Sequence, residues 1–186
     1  MADVSGKGVS AAFLMANFQA YLRSIFAYSK GDLSQIVIEL NSRVMHSAMG
    51  EKYITLFLAT YHKPTRRLKY INCGHNPPVL ADENGYTQLL KLGSIGLGMF
   101  EELPKVAMGE LILQRNSLVV CYTDGLVETE NEANEEFGLE RLEKVILENF
   151  GDSVSELTRN IVVDVNHHRG EMPFIDDLAI LSCRFF

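Results

Sequence analysis

The 186 residues carry 47% hydrophobic and 22% charged side chains, which is the make-up of a chain that buries a real core and excludes disorder. A net charge of -7 argues against a nonspecific nucleic-acid surface, because phosphate backbones attract clustered Lys and Arg. No apolar run approaches the roughly 18 residues of a membrane span, and Met1-Ala2-Asp3 lacks the basic-then-apolar order of a signal peptide.

From Val9 to Tyr28, Ala11, Met15, Phe18, Leu22 and Ile25 recur at three- and four-residue steps, which predicts a helix closed by Gly31. Asp32 reads as the N-cap of a second helix, with Gln35 three residues on and Leu33, Ile36, Val37, Leu40 and Val44 as its apolar stripe. Met15, Met45 and Met49 read as core packing. The period then changes. Ile54 to Tyr61 and Leu68 to Asn72 are β-branched and aromatic runs joined through Lys63-Pro64-Thr65-Arg66, a hairpin connection. Lys63, Arg66, Arg67 and Lys69, the densest basic cluster, read as a solvated hairpin. Asn84-Gly85 signals another hairpin through a type I′ turn, with positive φ at both central positions.

Leu111 to Leu113 and Ser117 to Tyr122 predict strands around Arg115-Asn116. Helical spacing returns at Leu139, Leu142, Val145 and Ile146, and at Val154, Leu157, Ile161, Val162 and Val165, where Ser153 and Glu156 form a capping box. Leu178 to Phe185 is short enough for a buried strand. With no repeat or linker, the expectation is one α+β domain over residues 1–186, its helices segregated from antiparallel sheet. Cys73, Cys121 and Cys183 are odd in number and far apart, without a Cys-x-x-Cys pair, and fit a reducing cytoplasm.

Three acidic positions sit beside glycine or another acid at predicted strand ends or turns: Asp3, Asp124 and the pair Asp176-Asp177. Singly, each reads as a turn or cap residue. Carboxylates gathered from distant segments repel, and oxygen ligands without His or Cys favour Mg²⁺ or Mn²⁺ over zinc. Gly6-Lys7-Gly8 is not a Walker A loop, since Met1 and Gly8 stand where that motif needs Gly and Ser or Thr. His75 reads either as a general acid or, with more weight, as a turn residue before Pro77-Pro78. His167 and His168 read as solvated at a helix end.

Asp3-Val4-Ser5-Gly6-Lys7-Gly8-Val9-Ser10-Ala11-Ala12, Cys73-Gly74-His75-Asn76-Pro77-Pro78, Tyr122-Thr123-Asp124-Gly125-Leu126-Val127-Glu128, Asn131 through Glu136-Phe137-Gly138 to Arg141-Leu142, and Asp176-Asp177-Leu178-Ala179-Ile180 follow one another in the block order of a known family. Together they resemble PP2C-type metal-dependent serine/threonine phosphatases of the sporulation stage II E and sigma-regulator branch. The resemblance implies two packed antiparallel sheets flanked by helices and a site for two Mn²⁺ or Mg²⁺ ions. By that match Asp3 bridges the ions, the Val4 carbonyl, Asp124 and Asp176 are further ligands, and Asp177 and Gly125 support them. Lys7 and His75 are candidate phosphate contacts. Such ions acidify a coordinated water for in-line attack on phosphorus.

The substrate implied is a phosphoserine or phosphothreonine protein, an anti-anti-sigma factor of the STAS type. A regulatory binding module without turnover is the alternative. The Gly-Gly-Asp-like block that opens the family pattern has no counterpart ahead of Asp3, so the expectation is an N-terminally shortened domain lacking a ligand and its first strand or strands. Its open sheet edge would pair with a second copy in a homodimer.

Overall fold

The computed structural model describes residues 1–29 and 31–186, which divide into two compact units, each of one sheet with helices. The first comprises Met1–His75 and Leu90–Ile112; the second comprises Asn76–Leu89 and Leu113–Phe186. The α+β class expected from the alternation of periods is the class observed.

In the first unit the chain runs β1 (Ala2–Val4), α1 (Val9–Tyr28), α2 (Leu33–Ala48), β2 (Ile54–His62), β3 (Arg67–Cys73), and, after an excursion into the second unit, β6 (Gly93–Ser94) and β7 (Gly109–Ile112). The sheet order is β1-β2-β3-β6, with β7 also on β3. Asp32 caps α2 as expected, its Oδ1 accepting from Ser34 N at 3.0 Å and Gln35 N at 3.2 Å. The apolar stripe of α2 is completely covered, Ile36, Val37, Leu40 and Val44 sharing a cluster with Ile54, Leu56, Ile71 and Leu97. The basic hairpin is solvated, and Arg67 and Lys69 pair there with Glu110.

Asn41 stands inside this apolar stripe at 2% exposure. It is a staple. Its Nδ2 donates to the carbonyls of Phe100 and Glu101 at 3.0 and 3.1 Å, and its Oδ1 accepts from Gly98 N at 2.9 Å. One side chain therefore satisfies three main-chain groups of the segment packed on α2.

The second unit runs β4 (Val79–Ala81), β5 (Thr87–Leu89), β8 (Ser117–Tyr122), α3 (Asp124–Val127), α4 (Leu139–Glu148), α5 (Val154–Arg169) and β9 (Ile180–Phe185), with sheet order β5-β4-β8-β9. Leu118, Val120 and Tyr122 of β8 share a core with Leu142 and Ile146 of α4 and Leu157, Ile161 and Val165 of α5. The capping box at α5 is formed: Ser153 Oγ accepts from Glu156 N, and Glu156 Oε2 accepts from Ser153 N, both at 3.2 Å.

Several expectations are corrected. Asn84-Gly85 does join two strands, but only Gly85 has positive φ. Asp82 makes the turn instead, its Oδ1 accepting from Asn84 N and Tyr86 N, so no type I′ geometry is required. Strands do flank Arg115-Asn116 as expected, the first ending at Ile112 rather than Leu113; β7 joins β3, and β8 joins β4 and β9. The first sheet is not wholly antiparallel, because β6 runs parallel to the end of β3. β9 is an edge strand and only half-buried. Met15 and Met49 are 50% and 87% exposed, Met15 lying off the buried stripe of α1 and Met49 at the left-handed C-cap of α2. His168 is engaged with Arg141, with the Glu135 carbonyl and edge-on with Phe137.

Cys73 and Cys121 are buried, and burial pushes their thiols up to about 12 and about 11; Cys183 is shifted the same way for the same reason. No helix among the described residues is long and apolar enough to cross a membrane.

Replacing Asn41 by Leu leaves the buried Gly98 N–H without its acceptor, a loss of about 1–3 kcal/mol, and removes the donor from two carbonyls of exposed residues. The urea midpoint of Asn41→Leu is expected to fall by the equivalent of about 1–3 kcal/mol. The capping box gives a pH signature. Hydrogen bonds from Ser153 hold the Glu156 carboxyl below its ordinary 4.5. A carboxyl depressed in the folded state stabilises above its unfolded value and loses that contribution as pH falls. The melting-temperature gap between the native chain and Glu156→Gln should therefore be open at neutral pH and close on acidification below about pH 4.5.

Candidate functional site

The acids of the second unit are brought together by main-chain bonding at the open ends of β8 and β9. Thr123, directly after β8, is 6% exposed. Its N–H donates to the Ala179 carbonyl at 3.1 Å, its Oγ1 donates to the Asp177 carbonyl at 2.8 Å, and the same oxygen accepts from Ala179 N at 2.9 Å. These bonds fasten the segment before β9 to the end of β8. Asp124 consequently stands next to Asp176-Asp177.

The approach is close enough to dictate glycine at position 125. A Cβ there would lie 2.7 Å from the Asp177 carbonyl oxygen and 3.1 Å from that of Asp176. Asp124 begins the single turn of α3, and its Oδ1 accepts from Gly125 N at 2.8 Å; Asp176 Oδ1 accepts from Asp177 N at 2.8 Å in the same manner. Each carboxylate is thus steadied by its neighbour's N–H through one oxygen.

Gly125, Glu128, Thr129, Glu130, Glu136, Ile175 and Asp176 line a cavity of about 150 Å³. Its electrostatics are one-sided. The Glu128 carboxyl is raised above its ordinary value by burial first, then by the charges of Asp124, Glu136 and Asp176. Burial and neighbouring negative charge together disfavour the ionised form of Glu128, and a bound cation would relieve that repulsion.

The other site candidates belong to the first unit. Asp3 and Val4 lie in β1, opposite Thr55 and Ile54. The chain after them is clamped, Ser5 N donating to the Tyr53 carbonyl at 2.9 Å and Tyr53 N donating to Ser5 Oγ at 2.8 Å. Lys7 is exposed in the following bend. His75 is 5% exposed; its N–H donates to Asn72 Oδ1, and its Nδ1 is 2.9 Å from Thr55 Oγ1.

Within one unit, then, Thr123 and Gly125, on either side of Asp124, pack against the main chain of Asp176, Asp177 and Ala179; within the other, Asp3 lies opposite Thr55 in the ladder and His75 is bonded to it. Among the described residues no group of three or more His, Cys, Asp or Glu is gathered as a metal cage. The donor chemistry nevertheless fits a hard divalent cation. The groups around Asp124 offer carboxylate and carbonyl oxygens, which suit Mg²⁺ or Mn²⁺ and not zinc. Sequence reasoning missed Thr123 and Glu128. Both stand in the Tyr122–Glu128 block; Glu128 was detectable as the residue four positions after Asp124, one helical turn on, whereas the long-range bonds of Thr123 leave no trace in its neighbours.

The family described as Stage II sporulation protein E (SpoIIE) matches residues 1–186. Phosphoserine phosphatase RsbP of Bacillus subtilis (strain 168) is 26% identical over 130 residues, 68% of this chain and 32% of that protein. The chain spans about a third of the length of the curated relatives it matches. Among solved structures, the SiaA PP2C domain of Pseudomonas aeruginosa superposes with a TM-score of 0.85 at 22% identity, over 100% of this chain and 74% of that one. RsbX in complex with magnesium superposes at 0.71 with 18% identity, over 100% and 79% of the two chains. At these identities the structural likeness establishes the fold.

Gly125→Ala forces a methyl group into two main-chain carbonyls. Overpacking of this kind costs about 1–3 kcal/mol. The variant is expected to melt lower, with the altered amide signals in a ¹H–¹⁵N spectrum concentrated at residues 123–128 and 176–179.

Proposed function

The chain belongs to the stage II sporulation protein E family, and from that premise we propose that it is a Mn²⁺- or Mg²⁺-dependent phosphatase acting on phosphoserine or phosphothreonine in a regulatory protein. The observation that carries this reading is the juxtaposition of Asp124 and Asp176 beside an acid-lined cavity, in a chain that matches the family from end to end.

In this reading Asp3 and the Val4 carbonyl of the first unit, and Asp124 and Asp176 of the second, are the residues that would hold divalent ions. When bound, the ions supply Lewis-acid activation of water and neutralise charge on the phosphoryl oxygens. The residues of the chain do the rest. Gly125 N–H and Asp177 N–H hold the Asp124 and Asp176 carboxylates in fixed rotamers. Thr123 keeps the two segments in register. Lys7, exposed four residues after Asp3, meets the dianionic phosphate. Water is the nucleophile, so no phosphorylated side chain forms.

The protein substrate of this proposal is an anti-anti-sigma factor of the STAS type in a reducing cytoplasm, a reading supported by the similarity to RsbP, a phosphoserine phosphatase. Self-association belongs to the same proposal, because β1 ends its sheet and presents main-chain groups to a second copy. One observation favours a second reading, a binding module without turnover: no three ligands are gathered among the described residues.

A chromogenic phosphoester with Mn²⁺, with and without chelator, separates the two. Turnover is expected only with metal, and Asp124→Asn should lower it by orders of magnitude while leaving the far-UV spectrum intact. Mn²⁺ that binds only the folded chain stabilises by about 2.7 kcal/mol at a hundredfold excess over its dissociation constant. The melt should rise accordingly, and Asp176→Asn should blunt the rise. Identical melts in Mn²⁺ and in chelator, together with no turnover, would sink the proposal.

A further inference from the structure

Asp3 and Thr55 are directly opposed in the β1–β2 ladder. Directly opposed residues of an antiparallel pair project from the same face, with Cβ atoms about 4.5–5.5 Å apart. Thr55 is in turn bonded to His75, its Oγ1 lying 2.9 Å from the ring Nδ1. His75 is anchored from behind, its N–H donating to Asn72 Oδ1 at 2.8 Å, and Asn72 Nδ2 donates to the Leu90 carbonyl at 3.2 Å.

Asn72 and His75 are 4% and 5% exposed. Burying an amide and an imidazole is costly unless each is hydrogen-bonded, and a satisfied buried network is stiff. Ile71 and Cys73, on either side of Asn72, point to the opposite, apolar face of the sheet, so the network occupies the other face. The polar chain runs from the sheet interior to Thr55, the residue opposite Asp3.

We propose that Thr55, held by His75 and Asn72, positions the Asp3 carboxylate for the divalent cation; this rests on Asp3 being a ligand, as set out above. With the proton on Nδ1 the imidazole donates to Thr55 Oγ1, and the hydroxyl hydrogen of Thr55 is left to cross the ladder to Asp3. A carboxylate held in this way keeps one rotamer in the absence of the ion. Thr55 and His75 are positioning residues and do not touch substrate.

Binding of Mn²⁺ to the intact chain, read from the paramagnetic resonance of the free ion, tests this without turnover. Thr55→Val, which removes little but the hydroxyl, should weaken binding roughly tenfold or more, the usual effect of losing a ligand's outer partner. Thr55→Ser restores the hydroxyl and should bind within about twofold of the native chain. Thr55→Val leaves the buried His75 Nδ1 without this partner and should melt lower in chelator than the native and serine chains, so binding is compared well below all three melting temperatures.

Asp3→Asn, measured alongside, separates the two levels of the argument. If Asp3→Asn binds Mn²⁺ as the native chain does, the ligand assignment falls and this inference falls with it. If Asp3→Asn is weakened while Thr55→Val is not, the positioning role alone is overturned. A serine variant as weak as the valine variant would assign the effect to packing and overturn it too.

Discussion

Thr123 makes the bonds on which the acidic site depends. One hydroxyl both donates to Asp177 and accepts from Ala179, while the N–H of the same residue closes the ladder between β8 and β9. Remove that oxygen and the segment after Asp176 is no longer fastened at the Asp177 carbonyl and the Ala179 amide, although the main-chain pairing of β8 with β9 would persist. The position of a charged group is thus set by a neutral one. A neutral donor and acceptor is well suited to that task, because it adds nothing to a negative potential that Asp124, Glu128, Glu136 and Asp176 already make unfavourable.

Glycine 125 is the geometric counterpart of that bond. Thr123 draws the Asp176-Asp177 backbone in, and the absence of a Cβ at the next residue but one lets it arrive. The two features constrain each other: a side chain at 125 would push against the carbonyl that Thr123 holds. Hydrogen bonding and close packing therefore specify one arrangement of the acidic segment.

Local physics was legible in the sequence; long-range pairing was not. The extent of α1, the Asp32 cap and the Ser153 capping box follow from side chains that act within four residues of themselves. Which sheet receives β7 and which receives β8 leaves no local trace, and β6 exists as a strand only because Asn72 and Cys73 stand beside it. The site divides the same way. Asp3, Asp124 and Asp176-Asp177 are candidates in the sequence through their glycine and acid neighbours, and they remain proposed ligands. Thr123 and Thr55 do not stand out, since their partners lie far along the chain, 56 residues away in the case of Ala179, and a lone threonine at a strand end looks like any other. Met15 misled for a related reason: α1 is apolar on more sides than its own unit covers, and Val9 and Phe13 stay exposed with it.

The three thiols have a practical consequence. Maleimides and other electrophiles react with thiolate, and burial holds Cys73 and Cys121 protonated far above neutral pH, with Cys183 shifted the same way. The native chain is accordingly a quiet background for covalent probes. A single cysteine introduced on the exposed bend around Lys7 or in the Asp82–Tyr86 turn would take a spin label or fluorophore ahead of the native ones, so distances between labelled segments become measurable without first removing the cysteines that pack the sheets.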